Sequence, residues 1–160
     1  MKKIKYKIGD VFAVPLENEF YGIGIIIRIN KIKALTYYFD YLSKDLPELD
    51  KLPSEIFDKV KFISIITSKN SFENWSILGN KLLHYLENPI LKFSKDETYR
   101  IAEYSENLET NNMYYLTSNK EEYYNLPEDG LAGYIWLEKV LYKVLTGNGE
   151  KFLPIKGYKL

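Results

Sequence analysis

The sequence predicts an α+β fold: a strongly curved, mainly antiparallel β-sheet or SH3-like partial barrel, with a C-terminal helix packed on it. Two observations support this prediction. Residues 11–16 and 20–30 are short apolar, β-prone runs joined by a polar break at residues 17–19, as in a β-hairpin. One apolar stripe with helical spacing follows much later, at residues 134–145. Because strand-like runs outnumber helical ones, we expect the sheet to dominate a single α+β domain.

The hairpin carries the turn and bend signals from which the curved sheet is predicted. Gly9 and Asp10 form a turn signal that opens the first strand. Pro15 cannot donate a ladder hydrogen bond, so we expect the end of this strand at a sheet edge or a bulge. Gly22 and Gly24 lie on one face of the second strand, where they let the strand bend sharply or let another element approach closely.

The remaining elements follow from the same patterns. Further strands are predicted at residues 3–8, 34–42, 61–67, 75–79, 90–93, 98–104 and 112–117. We expect the last two of these to pair as an exposed hairpin. A single helical turn is predicted at residues 54–57, a turn at 68–71, and a helix at 80–89 from the spacing of its leucines.

The C-terminal helix has the clearest pattern. Tyr134, Leu137, Leu141 and Val144 recur at three- and four-residue spacing. Gly147 follows, where a helix C-terminus favours a residue with positive φ. We expect this helix to pack across the sheet. The chain of 160 residues has the size of one domain, with residues 148–160 expected as a loose tail.

Composition excludes several classes of protein. Hydrophobic residues make up 46% and charged residues 28% of the chain, which is a globular balance. The absence of cysteine excludes disulfides and thiolate metal sites and favours a cytoplasmic protein. No apolar run approaches the roughly 18 residues of a membrane span. The basic start, residues 1–7, lacks the apolar stretch of a signal peptide.

The charge is balanced overall but unevenly distributed. The chain has 22 basic and 22 acidic residues, whereas residues 96–129 contain nine acids and two bases, a net charge of −7. Without a basic cluster, we expect no nucleic-acid partner. The acidic block predicts either a surface that meets a basic partner or a solvated face.

No pattern in the chain predicts catalysis or a bound cofactor. His84 is the only histidine and lies in an apolar setting, so a His-based metal site or catalytic dyad is not expected. Gly22 and Gly24 lack the third glycine of a phosphate loop, because Ile27 stands in its place. Asp10, Glu17 and Glu19 lie where turns require polar residues. We therefore predict no catalytic, cofactor-binding or metal-binding residues.

Three segments resemble a known family. Residues 9–16 (GDVFAVPL), followed by 21–24 (YGIG), resemble the opening of the immunity protein 26 family of bacterial polymorphic toxin systems. Residues 75–80 (WSILGN) and 126–133 (LPEDGLAG) are similar to two later family segments. The run Ile25-Ile26-Ile27 departs from the family, which usually has a polar residue there, and residues 42–71 do not align.

The resemblance implies a non-catalytic cytoplasmic protein that binds and neutralises a toxin encoded beside it, without a cofactor. It implies occlusion or distortion of the toxin's active site. In this interpretation the motif residues have structural roles: Gly9, Asp10, Pro15, Tyr21, Gly22, Gly24, Trp75, Gly79 and Gly130.

The acidic block suggests where such a toxin would bind. If the toxin is a nuclease with a basic cleft, an acidic surface would steer association and mimic nucleic acid. The predicted partner-binding residues are the carboxylates of this block and the tyrosines among them: Glu103, Glu106, Glu109, Tyr114, Tyr115, Glu121 and Glu122.

One alternative belongs to a different functional class. The same opening resembles that of MazF-like ribonuclease toxins, which would make the chain an RNA-cleaving or RNA-binding barrel. Two arginines, one histidine and a net charge of zero count against it. The oligomeric state stays open, because an edge strand at residues 112–117 would be able to pair with a second copy.

Overall fold

The computed structural model describes residues 5–95, 99–109, 114–154, 157–158 and 160. Within them the strands are β1 (Asp10–Pro15), β2 (Tyr21–Ile29), β3 (Lys33–Phe39), β4 (Val60–Thr67), β5 (Ser76–Asn80), β6 (Lys92–Lys95), β7 (Arg100–Glu103), β8 (Tyr115–Leu116) and β9 (Leu131–Ala132). The α-helices are α1 (Ser68–Asn74), α2 (Lys120–Tyr124) and α3 (Tyr134–Leu145). Short 3₁₀ helices lie at Glu17–Glu19, Leu49–Lys51, Ser54–Asp58, His84–Leu86 and Glu150–Phe152.

The strands form two sheets. The larger has six strands in the order β5-β1-β2-β3-β4-β9, antiparallel except for the parallel pair β4 and β9. The smaller is an antiparallel sheet of β6, β7 and β8. The predicted hairpin between residues 98–104 and 112–117 corresponds to the pair β7 and β8, since Arg100 pairs with Leu116 and Ile101 with Tyr115. Residues 98, 112 and 113 of that prediction lie outside the described part of the chain.

Both faces of the large sheet are buried. In β2, Ile23, Ile25 and Ile27 lie in a core that also contains Phe93 and Ala102 of the small sheet. Ile26 points the other way, into a core shared with Leu137, Leu141 and their neighbours on α3. A strand covered on both faces is a continuous apolar run, which explains the Ile25-Ile26-Ile27 sequence. This alternation fixes the register, because a one-residue slip would exchange the two faces.

The prediction of a strongly curved sheet or SH3-like partial barrel is wrong. The sheet is open: its two outer strands, β5 and β9, lie at opposite ends of the strand order. Separate layers bury the two faces, so the sheet does not need to close on itself. The α+β class, the mainly antiparallel pairing and the C-terminal helix packed on the sheet are confirmed.

The two glycines of β2 make room for packing. A Cβ atom on Gly22 would lie 3.1 Å from Leu141 Cδ2 of α3. A Cβ atom on Gly24 would lie 2.5 Å from Phe12 Cζ and 2.9 Å from Tyr38 Cδ1. Of the two roles that the sequence left open for these glycines, the structure therefore shows close approach of another element.

The turn that opens β1 is built as the sequence indicates. Gly9 has a φ of 87°, and its N–H donates to the carbonyl of Ile26. The buried carboxylate of Asp10 accepts from the Lys7 N–H and from Asn80 Nδ2. β5 pairs with residues 10–13 only, so Pro15 lies beyond the end of that neighbour, as predicted.

Three predicted elements differ from the structure. Residues 5–8 are not in a strand, and residues 3 and 4 of that prediction lie outside the described part of the chain. The turn predicted at 68–71 begins α1, where Ser71 and Phe72 are buried and Phe72 packs on Phe12. The helix predicted at 80–89 is limited to one 3₁₀ turn, because Lys81 donates to Gly9 and keeps the chain extended.

α3 and its end are confirmed. Its buried residues are Leu137, Val140, Leu141 and Val144, and Gly147 has a φ of 82°. The chain then continues into the 3₁₀ helix Glu150–Phe152, and Phe152 and Leu153 pack against the same core. No helix among the described residues has the length and apolar character to cross a membrane.

We predict that Gly24→Ala lowers the free energy of unfolding by about 1–3 kcal/mol, since the new methyl group would overlap the buried Phe12 ring. Urea unfolding of the purified protein measures this difference. Gly130→Ala is the matched control, because no atom lies within 4 Å of its added Cβ. Equal stability of the two variants would contradict the packing role of Gly24.

Candidate functional site

Most of the predicted partner-binding residues lie on the small sheet, on α2 and on the turn after β7. We call the seven residues Glu103, Glu106, Glu109, Tyr114, Tyr115, Glu121 and Glu122 the acidic surface. Glu103 lies opposite Lys92, and Tyr115 lies opposite Ile101, two residues before Glu103. Residues paired across strands or two apart along one share a face, so Glu103, Tyr115 and Lys92 lie on the same side of the sheet.

Lys92 is the centre of this group. Its Nζ lies 3.7 Å from Glu122 Oε1 of α2. Its pKa is raised above the usual value, first by Tyr115 and further by the carboxylates of Glu122 and Glu103, while burial acts in the opposite direction. The structure therefore brings Glu103, Tyr115 and Glu122 together around one cation.

Glu106 is tied to the large sheet. Its carboxylate forms an ion pair with Arg28 Nε at the end of β2. Arg28 Nη1 also donates to the carbonyls of Ile27 and Leu86, at 2.7 Å each. The arginine is thus held by the backbone and in turn fixes Glu106 at the edge of the acidic surface.

Glu109, Tyr114 and Glu121 are the remaining residues of the acidic surface. Glu109 is exposed and closes a turn, because its backbone exchanges hydrogen bonds with Ser105. Tyr114 is exposed, its hydroxyl donates to Asp129 Oδ2 at 3.4 Å, and Lys95 Nζ lies 3.5 Å from its ring centroid. Glu121 is exposed on α2, whose N-cap Asn119 accepts from the Glu122 N–H.

Sequence reasoning missed the cations of this region. Arg28, Lys92 and Lys95 all lie outside the acidic block, yet each contacts one of its members. Pairing of the predicted strands at residues 90–93 and 98–104 was the signal that would have placed Lys92 beside Glu103. No comparable signal links Arg28 with Glu106, which is 78 residues away along the chain.

Among the motif residues, Trp75 contacts both β1 and α3. Its ring stacks on Phe12 with centroids 5.3 Å apart and an interplanar angle of 14°. Its Nε1 donates to Glu138 Oε1 of α3 at 2.9 Å. Burial raises the pKa of Glu138, while this hydrogen bond lowers it. Trp75 therefore joins the start of β5 to the helix that covers the sheet.

The remaining motif residues have different surroundings. Tyr21 exchanges two backbone hydrogen bonds with Ser43. A Cβ atom on Gly79, whose φ is 152°, would lie 2.6 Å from Leu49 Cδ2. Gly130 has open space around it. Tyr21 and Gly79 therefore each contact another part of the protein, whereas Gly130 does not. The structural role of the motif residues stays a prediction.

His84 is exposed at the start of a 3₁₀ turn, and its ring meets Tyr85 edge to face with centroids 5.0 Å apart. Among the described residues, no group of three or more His, Cys, Asp or Glu side chains is arranged to hold a metal ion.

The family model of Imm26, Immunity protein 26, matches residues 7–100, more than half of the chain. The chain belongs to the Imm26 family. No curated protein and no solved structure matches it in the corresponding comparisons. The match includes the motif segments at residues 9–16, 21–24 and 75–80, and it ends before the segment at 126–133.

Membership of Imm26 means that the protein is an immunity protein, a class that neutralises a cognate toxin and is typically non-catalytic. The predicted family and the predicted neutralisation of a cognate toxin are confirmed. Blocking of the toxin's active site stays a prediction. The alternative of an RNA-cleaving barrel is not supported, since the match is to an immunity family and the sheet is open.

We predict that Glu138→Gln raises the stability of the protein relative to the wild type as the pH increases. Folding raises the pKa of Glu138, so the protonated carboxyl group stabilises the folded protein. This contribution to the free energy of unfolding is fully present below the usual pKa of 4.5 and is lost as the pH rises through the raised pKa. Glutamine keeps an oxygen for the Trp75 N–H without the charge.

Urea unfolding between about pH 4 and 7 gives the difference in the free energy of unfolding between variant and wild type. We expect this difference to grow with pH and then level off. Glu55→Gln, at an exposed position remote from Trp75, is the control. A difference for Glu138→Gln that stays constant across this range would show that the buried environment of Glu138 has no effect.

Proposed function

We propose that this immunity protein neutralises its toxin by covering the toxin's active site with the acidic surface. The observation that supports the proposal is the convergence of Glu103, Tyr115 and Glu122 around Lys92 on one side of the small sheet. Carboxylates interspersed with half-exposed tyrosines suit a partner that offers basic groups.

A nuclease is the toxin class that this surface fits best. Nuclease clefts attract phosphates with Lys and Arg, and an acidic protein surface presents the same sign of charge as the nucleic acid it replaces. We propose no nucleic-acid or membrane partner for the immunity protein itself. We place the neutralisation in the cytoplasm, the compartment that the absence of cysteine favours.

The cations of the region are compatible with this role. Exposed ion pairs such as Lys92 with Glu122 contribute only about 0–1 kcal/mol, so a toxin arginine would displace Lys92 at little cost. Arg28 is held by two carbonyl groups and orients Glu106 before the toxin arrives. Such preorganisation lowers the entropy lost on binding.

Co-expression with the toxin encoded beside this gene tests the function directly. We expect the immunity protein to restore growth of cells that produce the toxin and to co-purify with it as a stable complex. The matched control is a Gly24→Ala, Asp10→Ala double variant, which is expected to lose stability and protection together. Toxicity that persists in the presence of folded wild-type protein, without a complex, would contradict the pairing.

A charge-reversal series tests the proposed surface. The Glu103→Lys, Glu109→Lys, Glu121→Lys triple variant changes neither Glu106, which pairs with Arg28, nor Glu122, which pairs with Lys92. We expect it to slow association with a catalytically inactivated toxin about tenfold at low salt, and less as salt screens the charges. Surface plasmon resonance at several salt concentrations measures the association rate.

The control for the series has the same change in net charge at other exposed acids: Glu17→Lys, Asp50→Lys, Glu55→Lys. We expect this variant to associate at a rate much closer to that of the wild type. Equal slowing by both triple variants would mean that net charge alone, rather than the acidic surface, steers the toxin.

A further inference from the structure

A groove with a volume of about 340 Å³ opens beside the acidic surface. It lies between the outer edge of β4, the loop that leads into β9, the first turn of α3 and the 3₁₀ helix Glu150–Phe152. Phe62 and Ala132, both buried, contribute apolar atoms to it, and Trp136 and Phe152 line it from α3 and from the C-terminal segment.

The groove displays two exposed apolar side chains. Trp136 is 46% exposed and Leu131 is 48% exposed. Phe152 meets Trp136 edge to face, with ring centroids 6.1 Å apart. The indole N–H of Trp136 has no hydrogen-bond partner among the described residues. An accessible tryptophan held against a second ring is the kind of residue that anchors protein interfaces.

The ionisable side chains that line the groove are acidic, and Lys151 lies at its margin, with Nζ 4.9 Å from the Phe152 ring centroid. Glu128 and Asp129 are the ionisable residues that line it within the described part of the chain. Asp129 is held by the hydroxyl groups of Tyr104 and Tyr114. Glu128 is exposed, and its carboxylate has no ion-pair partner among the residues that the structure describes. A ligand with a cationic side chain would therefore meet complementary charge beside an aromatic ring.

The groove also has a strand edge. β9 pairs with β4 only at Ile65 and Ile66, whereas β3 pairs with β4 along its whole length. Residues 62–64 of β4 line the groove without a neighbouring strand on that side in the described structure, and the Tyr158 hydroxyl lies close to the Ile63 backbone. An extended peptide is the type of ligand that uses such an edge, since its backbone can continue the sheet.

We propose that an extended basic segment of the cognate toxin binds in this groove, with a Lys or Arg side chain between Trp136 and Glu128. The inference rests on the proposed function and extends it, because Tyr114 of the acidic surface donates to Asp129 of the groove. The two surfaces are therefore continuous. Apart from residues 62–64, the groove lies beyond residue 100, where the family match ends.

Dissociation of the complex tests the groove separately from the acidic surface. The probe is the catalytically inactivated toxin encoded beside this gene, measured by surface plasmon resonance against the full chain. We expect Trp136→Ala and Glu128→Lys each to increase the dissociation rate about tenfold or more, as loss of an interface anchor does. The association rate should change less for Trp136→Ala, because that substitution removes no charge.

Matched controls lie at the opposite edge of the large sheet. Leu82→Ala removes a side chain that is 88% exposed, and Asp50→Lys reverses an exposed charge close to Leu49, which packs against Gly79 of β5. Both controls should dissociate within about twofold of the wild type. Thermal unfolding of each variant shows that it is folded, and Glu128→Lys, at an exposed site, keeps the test valid if Trp136→Ala is unstable.

The outcomes separate the two proposals. Dissociation rates of Trp136→Ala and Glu128→Lys within twofold of the wild type would overturn the groove, even if the acidic-surface variant associates slowly. A normal association rate for the acidic-surface variant together with fast dissociation of the groove variants would overturn the acidic surface and keep the groove. Rescue of Glu128→Lys by a Lys→Glu or Arg→Glu substitution in the toxin would identify the basic residue that the groove accepts.

Discussion

Burial of both faces of β2 is the constraint on which the structure depends. Ile23, Ile25 and Ile27 lie in one core and Ile26 in the other, and full burial of each such side chain is worth about 1.5–3 kcal/mol. On the second face, the absence of a side chain at Gly24 leaves room for Phe12 and Tyr38. Phe12 stacks on Trp75, whose indole N–H reaches Glu138 of α3. The packing that begins at this glycine thus extends to the C-terminal helix.

The other face of the sheet positions the proposed binding surface. The hydroxyl of Tyr37 accepts from the Ile90 N–H, and Arg28 donates to the carbonyl of Leu86. Burial raises the pKa of Tyr37 to about 12, and the hydrogen bond from the Ile90 N–H acts in the opposite direction. These contacts fix the segment from which β6 starts, and β6 carries Lys92. The acidic surface is therefore oriented by the core, although its own side chains are exposed.

Much of the fold could be predicted because strand and helix periodicity is a local property. Five of the six strands of the large sheet and α3 follow from it directly, whereas the two-residue β9 was not predicted. The openness of the sheet could not be predicted, since the role of Gly22 and Gly24 depends on Leu141 and Phe12, which are distant in sequence. The acids of the candidate site were visible as a cluster, whereas their cationic neighbours were not. Trp136 was missed although its signal was present: it is a large aromatic residue beside the apolar stripe of α3 rather than within it.

The different character of the two proposed surfaces suggests how an immunity protein can be specific. The matched residues 7–100 contain β1 to β6, which supply most of the large sheet and its packing. The seven residues of the acidic surface, and Trp136 and Glu128 of the groove, all follow this part. The two surfaces differ in physical character. Dispersed carboxylates act over a distance and mainly set how fast a basic partner arrives, whereas an aromatic anchor acts on contact and mainly sets how long that partner stays. A toxin with the right charge but the wrong segment would then arrive quickly and leave quickly, so discrimination between toxins would come from the groove.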